Sequence, residues 1–184
     1  MPLINTDMKN VKAIFSYGRM NPPTNGHLRV VQKLRDEAER EGAVARVYLS
    51  LTEDEKSNPL APAEKLAFFQ KLFPDVEVRL AKTVFEAGLD MAADGFDHGV
   101  MVVGEDRAAK FTKILSAYEG TEVLGLKRVE VKTISRNAED ASATQARQAA
   151  ATGNWKAFCD LSATTDETLT RELYEAVRVG LGVA

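Results

Sequence analysis

Short apolar runs that alternate with stretches of helical spacing constrain this chain more than any other property. Lys12–Tyr17 is apolar and aromatic-rich and stops at Gly18, the pattern of a buried first strand. After a loop, Leu28, Val31, Leu34 and Ala38 recur at helical intervals between about Asn25 and Glu41, and Gly42 supplies the stop. The unit then repeats. Strands are expected at Val44–Ser50, Val76–Leu80, His98–Val103 and Arg128–Thr133. Helices are expected over Ala63–Phe73, near Thr83–Ala93, and from Asp106, placed to cap, to about Tyr118. Thr52–Pro62 is polar, charged and punctuated by proline, and reads as a mobile surface loop. Short helices follow the fifth strand, with a C-terminal helical segment from about residue 152. Such alternation predicts an α/β three-layer sandwich, a mostly parallel five-stranded sheet with helices on both faces, whose ligands lie outside the carboxyl ends of the strands.

At 184 residues the chain suits one domain, large enough to bury roughly 70% of its unfolded surface. Hydrophobic residues at 45% and charged residues at 28% exclude disordered, collagenous and membrane-embedded classes. A net charge of −3 with interleaved signs gives no basic field for nucleic acid, so a phosphate must be held by local groups. Small anionic ligands are favoured over polymers. Cys159 is the only cysteine, which excludes a disulfide framework and a cysteine metal cluster. Met1–Asn10 holds no apolar stretch of signal-peptide length, and no run of ~18 apolar residues occurs. The expectation is a cytoplasmic protein without a membrane partner.

Pro22-Pro23 excludes helix from the first loop and delivers Thr24 or Asn25 to the N-cap of the first helix. First-turn N–H groups have no internal partners and face outward with the positive end of the macrodipole, an anion site that needs no lysine. Gly26 removes a side chain where a ligand must approach the backbone. Thr24 and His27, three apart, project from one face and can touch one phosphate. A plainer reading makes His27 a capping or packing histidine.

Farther along, Ser142 and Gln145 have capping-box spacing, so a second helix start with free N–H groups is expected there. Arg147 shares a face with Thr144, and its fork suits triphosphate oxygens; the plainer alternative is an alanine-rich helix with a solvated arginine. Gly104-Glu105-Asp106-Arg107 ends the fourth strand, where an open parallel sheet puts its ligands, and Asp106 is either a ligand-binding residue or a cap. His98 precedes an apolar strand with no partner motif. Trp155, Phe158 and Leu161, at helical spacing after Gly153-Asn154, read as core. Leu169, Leu173, Ala176 and Val177 form an apolar face that either closes the core or meets a second copy in a homo-oligomer.

Thr24-Asn25-Gly26-His27 matches the T/H-x-G-H signature of the nucleotidyltransferase superfamily, and the flanking Gly18-Arg19-Met20-Asn21-Pro22-Pro23 strengthens the match. Ser142-Ala143-Thr144-Gln145-Ala146-Arg147 has the S-x-T-x-x-R form found late in that superfamily. The chain therefore resembles its adenylyltransferases and cytidylyltransferases from the first strand through Arg147, which implies a Rossmann-like fold. By that resemblance His27 stabilises charge on the transferring phosphorus, Thr24 hydrogen-bonds the same oxygens, and Arg147 meets the β and γ phosphates. Tyr17, Gly18, Arg19, Asn21, Pro22, Gly26, Gly104, Asp106, Arg107, Ser142 and Thr144 are the implied nucleotide-binding positions. Lys56 and Lys65, flanking the proline-punctuated loop, are candidate triphosphate contacts.

The resemblance further implies that an acceptor's phosphate attacks the α-phosphorus of a triphosphate and pyrophosphate leaves, with no covalent enzyme intermediate. Magnesium would accompany the triphosphate; the sequence shows no carboxylate cage, so no protein metal ligand is assigned. Tyr17-Gly18-Arg19 with the asparagine-proline loop is similar to nicotinamide mononucleotide adenylyltransferases, although Met20 stands where they often carry phenylalanine. ATP and nicotinamide mononucleotide, giving NAD, are the preferred substrates. Cytidylyl transfer to a polyol or choline phosphate and adenylyl transfer to phosphopantetheine use the same scaffold. The layout with Glu139-Asp140-Ala141-Ser142 is similar to bacteriophage-encoded members, which would place the protein in a host cytoplasm, or as a non-catalytic nucleotide-binding module of a phage assembly. The glycine pattern is neither G-x-G-x-x-G nor a P-loop, and the chain lacks the length and lysine-rich signature of a class I aminoacyl-tRNA synthetase.

Overall fold

A computed structural model describes residues 11–135 and 142–184. Met1–Asn10 and Glu139-Asp140-Ala141, on which two of the expectations above rest, lie outside the described residues. Strands β1 (Lys12–Gly18), β2 (Val44–Leu49), β3 (Glu77–Leu80), β4 (His98–Gly104) and β5 (Arg128–Ile134) alternate with helices α1 (Asn25–Glu41), α2 (Pro62–Leu72), α3 (Val84–Ala93) and α4 (Glu105–Tyr118). Three helices close the chain: α5 (Ala143–Ala151), α6 (Trp155–Asp160) and α7 (Glu167–Gly180).

The sheet runs β3-β2-β1-β4-β5, and every neighbouring pair is parallel, so the expected "mostly parallel" sheet is wholly so. Chain order reverses between β1 and β4, which opens a crevice at their carboxyl ends. Side-chain alternation along these central strands sorts the core into two layers. Phe15, Met101 and Val103 pack with Ala87 and Met91 of α3 and Phe111 and Leu115 of α4. Ile14, Val100 and Val102 face the other way, onto Val31 and Leu34 of α1 and Phe69 of α2. Each large side chain so buried contributes about 1.5–3 kcal/mol. The architecture is the Rossmann-like α/β sandwich.

A third core joins the C-terminal helices to the body. Phe158, Leu173 and Val177 pack around Leu60 and Phe68, with Trp155, Leu161, Leu169 and Ala176 against them. The apolar face of α7 thus closes a core, as do the residues after Gly153.

Three local expectations need correction. Asp106 does not cap α4: Gly104 holds the N-cap position, and Asp106 lies in the first turn. Ser50 falls outside β2. Thr52–Pro62 is not simply a surface loop, because Asn58, Pro59 and Leu60 are buried and the Asn21 side chain both donates to and accepts from the Leu60 backbone, at 2.9 and 3.0 Å. Its polar composition belongs to the first half, where the Asp54 carboxylate turns the chain by accepting from the amides of Lys56 and Ser57. Among the described residues, no helix is long and apolar enough to cross a membrane.

Candidate active site

The carboxyl ends of β1 and β4, the end of β5 and the N-termini of α1, α4 and α5 surround a cavity of about 240 Å³. Pro22 and Pro23 are buried and Thr24 takes the N-cap of α1. Thr24 and His27 form a reciprocal capping box: the Thr24 hydroxyl accepts from the His27 amide, and the Thr24 amide donates to His27 Nδ1 at 3.0 Å. A ring nitrogen that accepts from a backbone N–H carries no proton, so the neutral imidazole holds its proton on Nε2. His27 lines the cavity, and the cap that orients its ring also fixes its tautomer as a donor. The capping reading of this histidine is what the structure shows, and the cap leaves its other ring nitrogen as the donor.

This geometry narrows the anion site at α1. The Asn25 amide donates to the Leu161 carbonyl at 3.0 Å and the His27 amide to Thr24. Gly26 alone of these first-turn positions keeps an amide with no described partner, and it lines the cavity without a side chain in the way. Thr24 has no exposed surface and does not line the cavity, and its amide and hydroxyl both engage His27.

Between Gly18 and Pro22 the chain is gripped from three sides. Met20 adopts φ of 45°, a left-handed conformation that costs a non-glycine residue on the order of 1 kcal/mol. Lys65 Nζ donates to the carbonyls of Arg19 and Ser50 at 2.7 and 2.9 Å. The Asn21 side chain is spent on Leu60, and the Asn21 carbonyl accepts from Arg147 Nη1 at 2.8 Å. Tyr17, on the β1 edge of the cavity, donates to the Lys82 carbonyl at 2.9 Å, and burial followed by Glu86 holds its phenol above the usual range.

Arg147 sits on α5 behind the Ser142–Gln145 capping box, whose two hydrogen bonds measure 2.8 and 3.2 Å. Its Nη2 donates to Thr144 Oγ1 at 3.0 Å. Two ties preset the guanidinium and leave further N–H groups for a ligand. Burial, then the neighbouring Arg19, hold its pKa below the usual arginine value, so an arriving anion relieves an unfavourable charge.

Tyr17, Gly18, Arg19, Asn21, Gly26, His27, Gly104, Asp106, Arg107, Ser142, Thr144 and Arg147 all line this one cavity. Pro22, Thr24, Lys56 and Lys65 do not. Pro22 is buried in the loop, and Lys56 is exposed with only its backbone amide engaged, by Asp54. Lys65 is fully buried. His98 lies at the opposite end of β4, with Nε2 3.6 Å from Glu130.

Sequence reasoning missed Arg29, Val30, Ser57 and Ser135, which also line the cavity. Arg29 and Val30 stand three and four residues after Gly26, the spacing that continues its helical face, and Ser135 directly follows β5. Both signals were readable; nothing marked Ser57. With Arg29 included, four arginines and one acidic residue, Asp106, line the cavity among the described residues of a chain whose net charge is −3. Positive charge is concentrated where the fold places ligands. Among the described residues, no cluster of three or more His, Cys, Asp or Glu could cage a metal.

Comparison with known proteins agrees with this layout. A family model described as cytidylyltransferase-like matches residues 15–149. No curated protein matches the sequence. Among solved structures, Thermotoga maritima TmcAL bound with alpha-thio ATP aligns with a TM-score of 0.59 at 16% identity, over 95% of this chain and 57% of that one. A macrolide-efflux protein from Streptococcus pneumoniae aligns with a TM-score of 0.51 at 18% identity, over 82% of this chain and 55% of that one. The chain thus spans little more than half the length of either, and at these identities the likeness is one of fold.

Proposed function

The chain belongs to the cytidylyltransferase-like family, and on that premise we propose that it transfers a nucleoside monophosphate from a nucleoside triphosphate to a phosphorylated acceptor, releasing pyrophosphate. The observation that carries the reading is convergence: His27, Arg107 and Arg147, from three separate segments, border one cavity at the crevice of a parallel sheet.

The chemistry follows from what these groups can donate. An acceptor phosphate oxygen attacks the α-phosphorus in line, the bond to the bridging oxygen breaks, and pyrophosphate departs with the electron pair. Negative charge develops on the α-phosphoryl oxygens, and the Nε2–H of His27 and the Gly26 amide are fixed donors toward it. Arg147, Arg107 and Arg19 hold the β and γ phosphates and the leaving pyrophosphate. No side chain takes a covalent part. Magnesium fits a cavity that Asp106 alone among the described acidic residues lines, because the triphosphate and water would supply most ligands; when bound it would neutralise phosphate charge.

ATP is the preferred donor, since the Thermotoga maritima protein that shares the fold is bound with alpha-thio ATP. Nicotinamide mononucleotide is the preferred acceptor, on the Gly18-Arg19 loop and its asparagine-proline continuation. Pyrophosphate release over a panel of triphosphates and acceptors tests both choices. Release with ATP and nicotinamide mononucleotide supports the finer reading; release only with CTP and an alcohol phosphate replaces it; binding of ATP with no release from any pair favours a nucleotide-binding module.

A further inference from the structure

Arg19 faces two ways. The residue lines the cavity, while its carbonyl accepts from the ammonium of Lys65, which belongs to α2 and is absent from the cavity wall. The same ammonium donates to the Ser50 carbonyl just beyond β2, so one buried cation joins the first loop to the neighbouring strand end. Lys65 has no exposed surface, and among the described residues no carboxylate pairs with it. Burying an unpaired ammonium is costly, and an apolar side chain would fill the same space without that penalty. The cation is therefore not there for stability alone. What it uniquely supplies is two donors at fixed separation, placed next to the left-handed turn at Met20 and beneath Arg19.

We propose that Lys65 is a positioning residue for nucleotide binding: by tying the Arg19 carbonyl to the end of β2, it holds the Met20 turn and aims the Arg19 guanidinium and the Gly18 backbone at the triphosphate. It acts from behind the loop, not as a triphosphate contact, since two of its protons are committed to carbonyls and the residue is covered. Burial first, and then the charge of Arg19, push its pKa down to about 8, in keeping with an ammonium held in place against its own preference.

This inference rests on the nucleotidyltransferase reading, and the test separates the two. Binding of the uncleavable analogue α,β-methylene ATP with magnesium is measured by calorimetry, and kcat and KM are measured by pyrophosphate release, for the wild type, Lys65→Met and Lys65→Arg. Only variants whose melting lies above the assay temperature are compared; if Lys65→Met does not fold, Lys65→Gln takes its place. Loss of the tie predicts a Kd and KM for the nucleotide raised about tenfold or more in Lys65→Met, with kcat at saturation within about threefold of wild type, and recovery of most of the affinity in Lys65→Arg. A folded Lys65→Met with wild-type Kd and KM overturns the proposal, and so does a fall in kcat at unchanged Kd. Where the wild type binds the cytidine analogue α,β-methylene CTP instead, the same comparison is made with it; failure to bind either analogue would strike the nucleotidyltransferase reading itself.

Discussion

At the scale of single residues, one hydrogen bond from the Thr24 amide to His27 Nδ1 orients the ring and decides which nitrogen can donate. Replacing His27 with alanine is expected to lower kcat about 10²–10³-fold, the usual effect of removing one preorganised donor, while the KM for the triphosphate changes little. Loss of the cap should also reduce stability by about 1 kcal/mol. Steady-state kinetics beside a denaturant melt separate the two effects, and a His27→Ala enzyme with undiminished kcat would remove the histidine from the chemistry. His27, Arg107 and Arg147 were legible because helix starts and strand ends announce themselves locally. The ties that Thr24, Asn21 and Lys65 make were not legible, because sequence gives a residue's type and neighbourhood but not the partner of its polar atoms. Asn21 spends its amide on Leu60, 39 residues away, and Lys65 reaches Arg19 across 46.

At the scale of elements, two ties hold the cavity walls. Glu37 of α1 is buried and pairs with Lys33 and with Lys132 of β5 at 2.8 Å each, which fastens the helix that follows the Gly18–Pro23 loop to the last strand. These hydrogen bonds, Lys132 first, hold its carboxyl down at about 2, against an ordinary value of 4.5. Because the folded pKa is depressed, the stabilisation is complete above about pH 4.5 and fades as pH falls toward 2. Lys132→Met should therefore destabilise by about 2 kcal/mol near neutrality, a difference that shrinks on acidification; denaturant midpoints between pH 6 and pH 3 would read it, and a constant difference would refute the pairing. The second tie is Asn21. Asn21→Ala strands the buried amide and carbonyl of Leu60, with an expected loss of about 2–4 kcal/mol and faster hydrogen exchange at the Leu60 amide. Unchanged protection there would show that the segment before α2 is anchored by packing alone. Helix and strand extents followed from periodicity to within a residue or two, whereas the anchoring of this segment could not, since a loop that is polar at one end and buried at the other has no period.

For the whole molecule, alternation of apolar runs and helical spacing was sufficient to give a parallel sheet clad on both faces, because sequential parallel strands require crossovers. It did not give strand order, which depends on where the chain reverses, and the cavity lies at that reversal between β1 and β4. Nor did composition reveal the local field: in a chain of net charge −3, four arginines line the cavity among the described residues. That concentration suits a ligand of several negative charges, as a triphosphate with a phosphorylated acceptor would be. The central claim is transfer of a nucleoside monophosphate, and following the α-phosphate tests it most directly. Incubation with ATP labelled at the α-phosphorus, magnesium and nicotinamide mononucleotide should place the label in NAD, with one pyrophosphate released for each label transferred; label remaining in ATP, or leaving only as free AMP, with this and every other acceptor and labelled triphosphate offered, would contradict it.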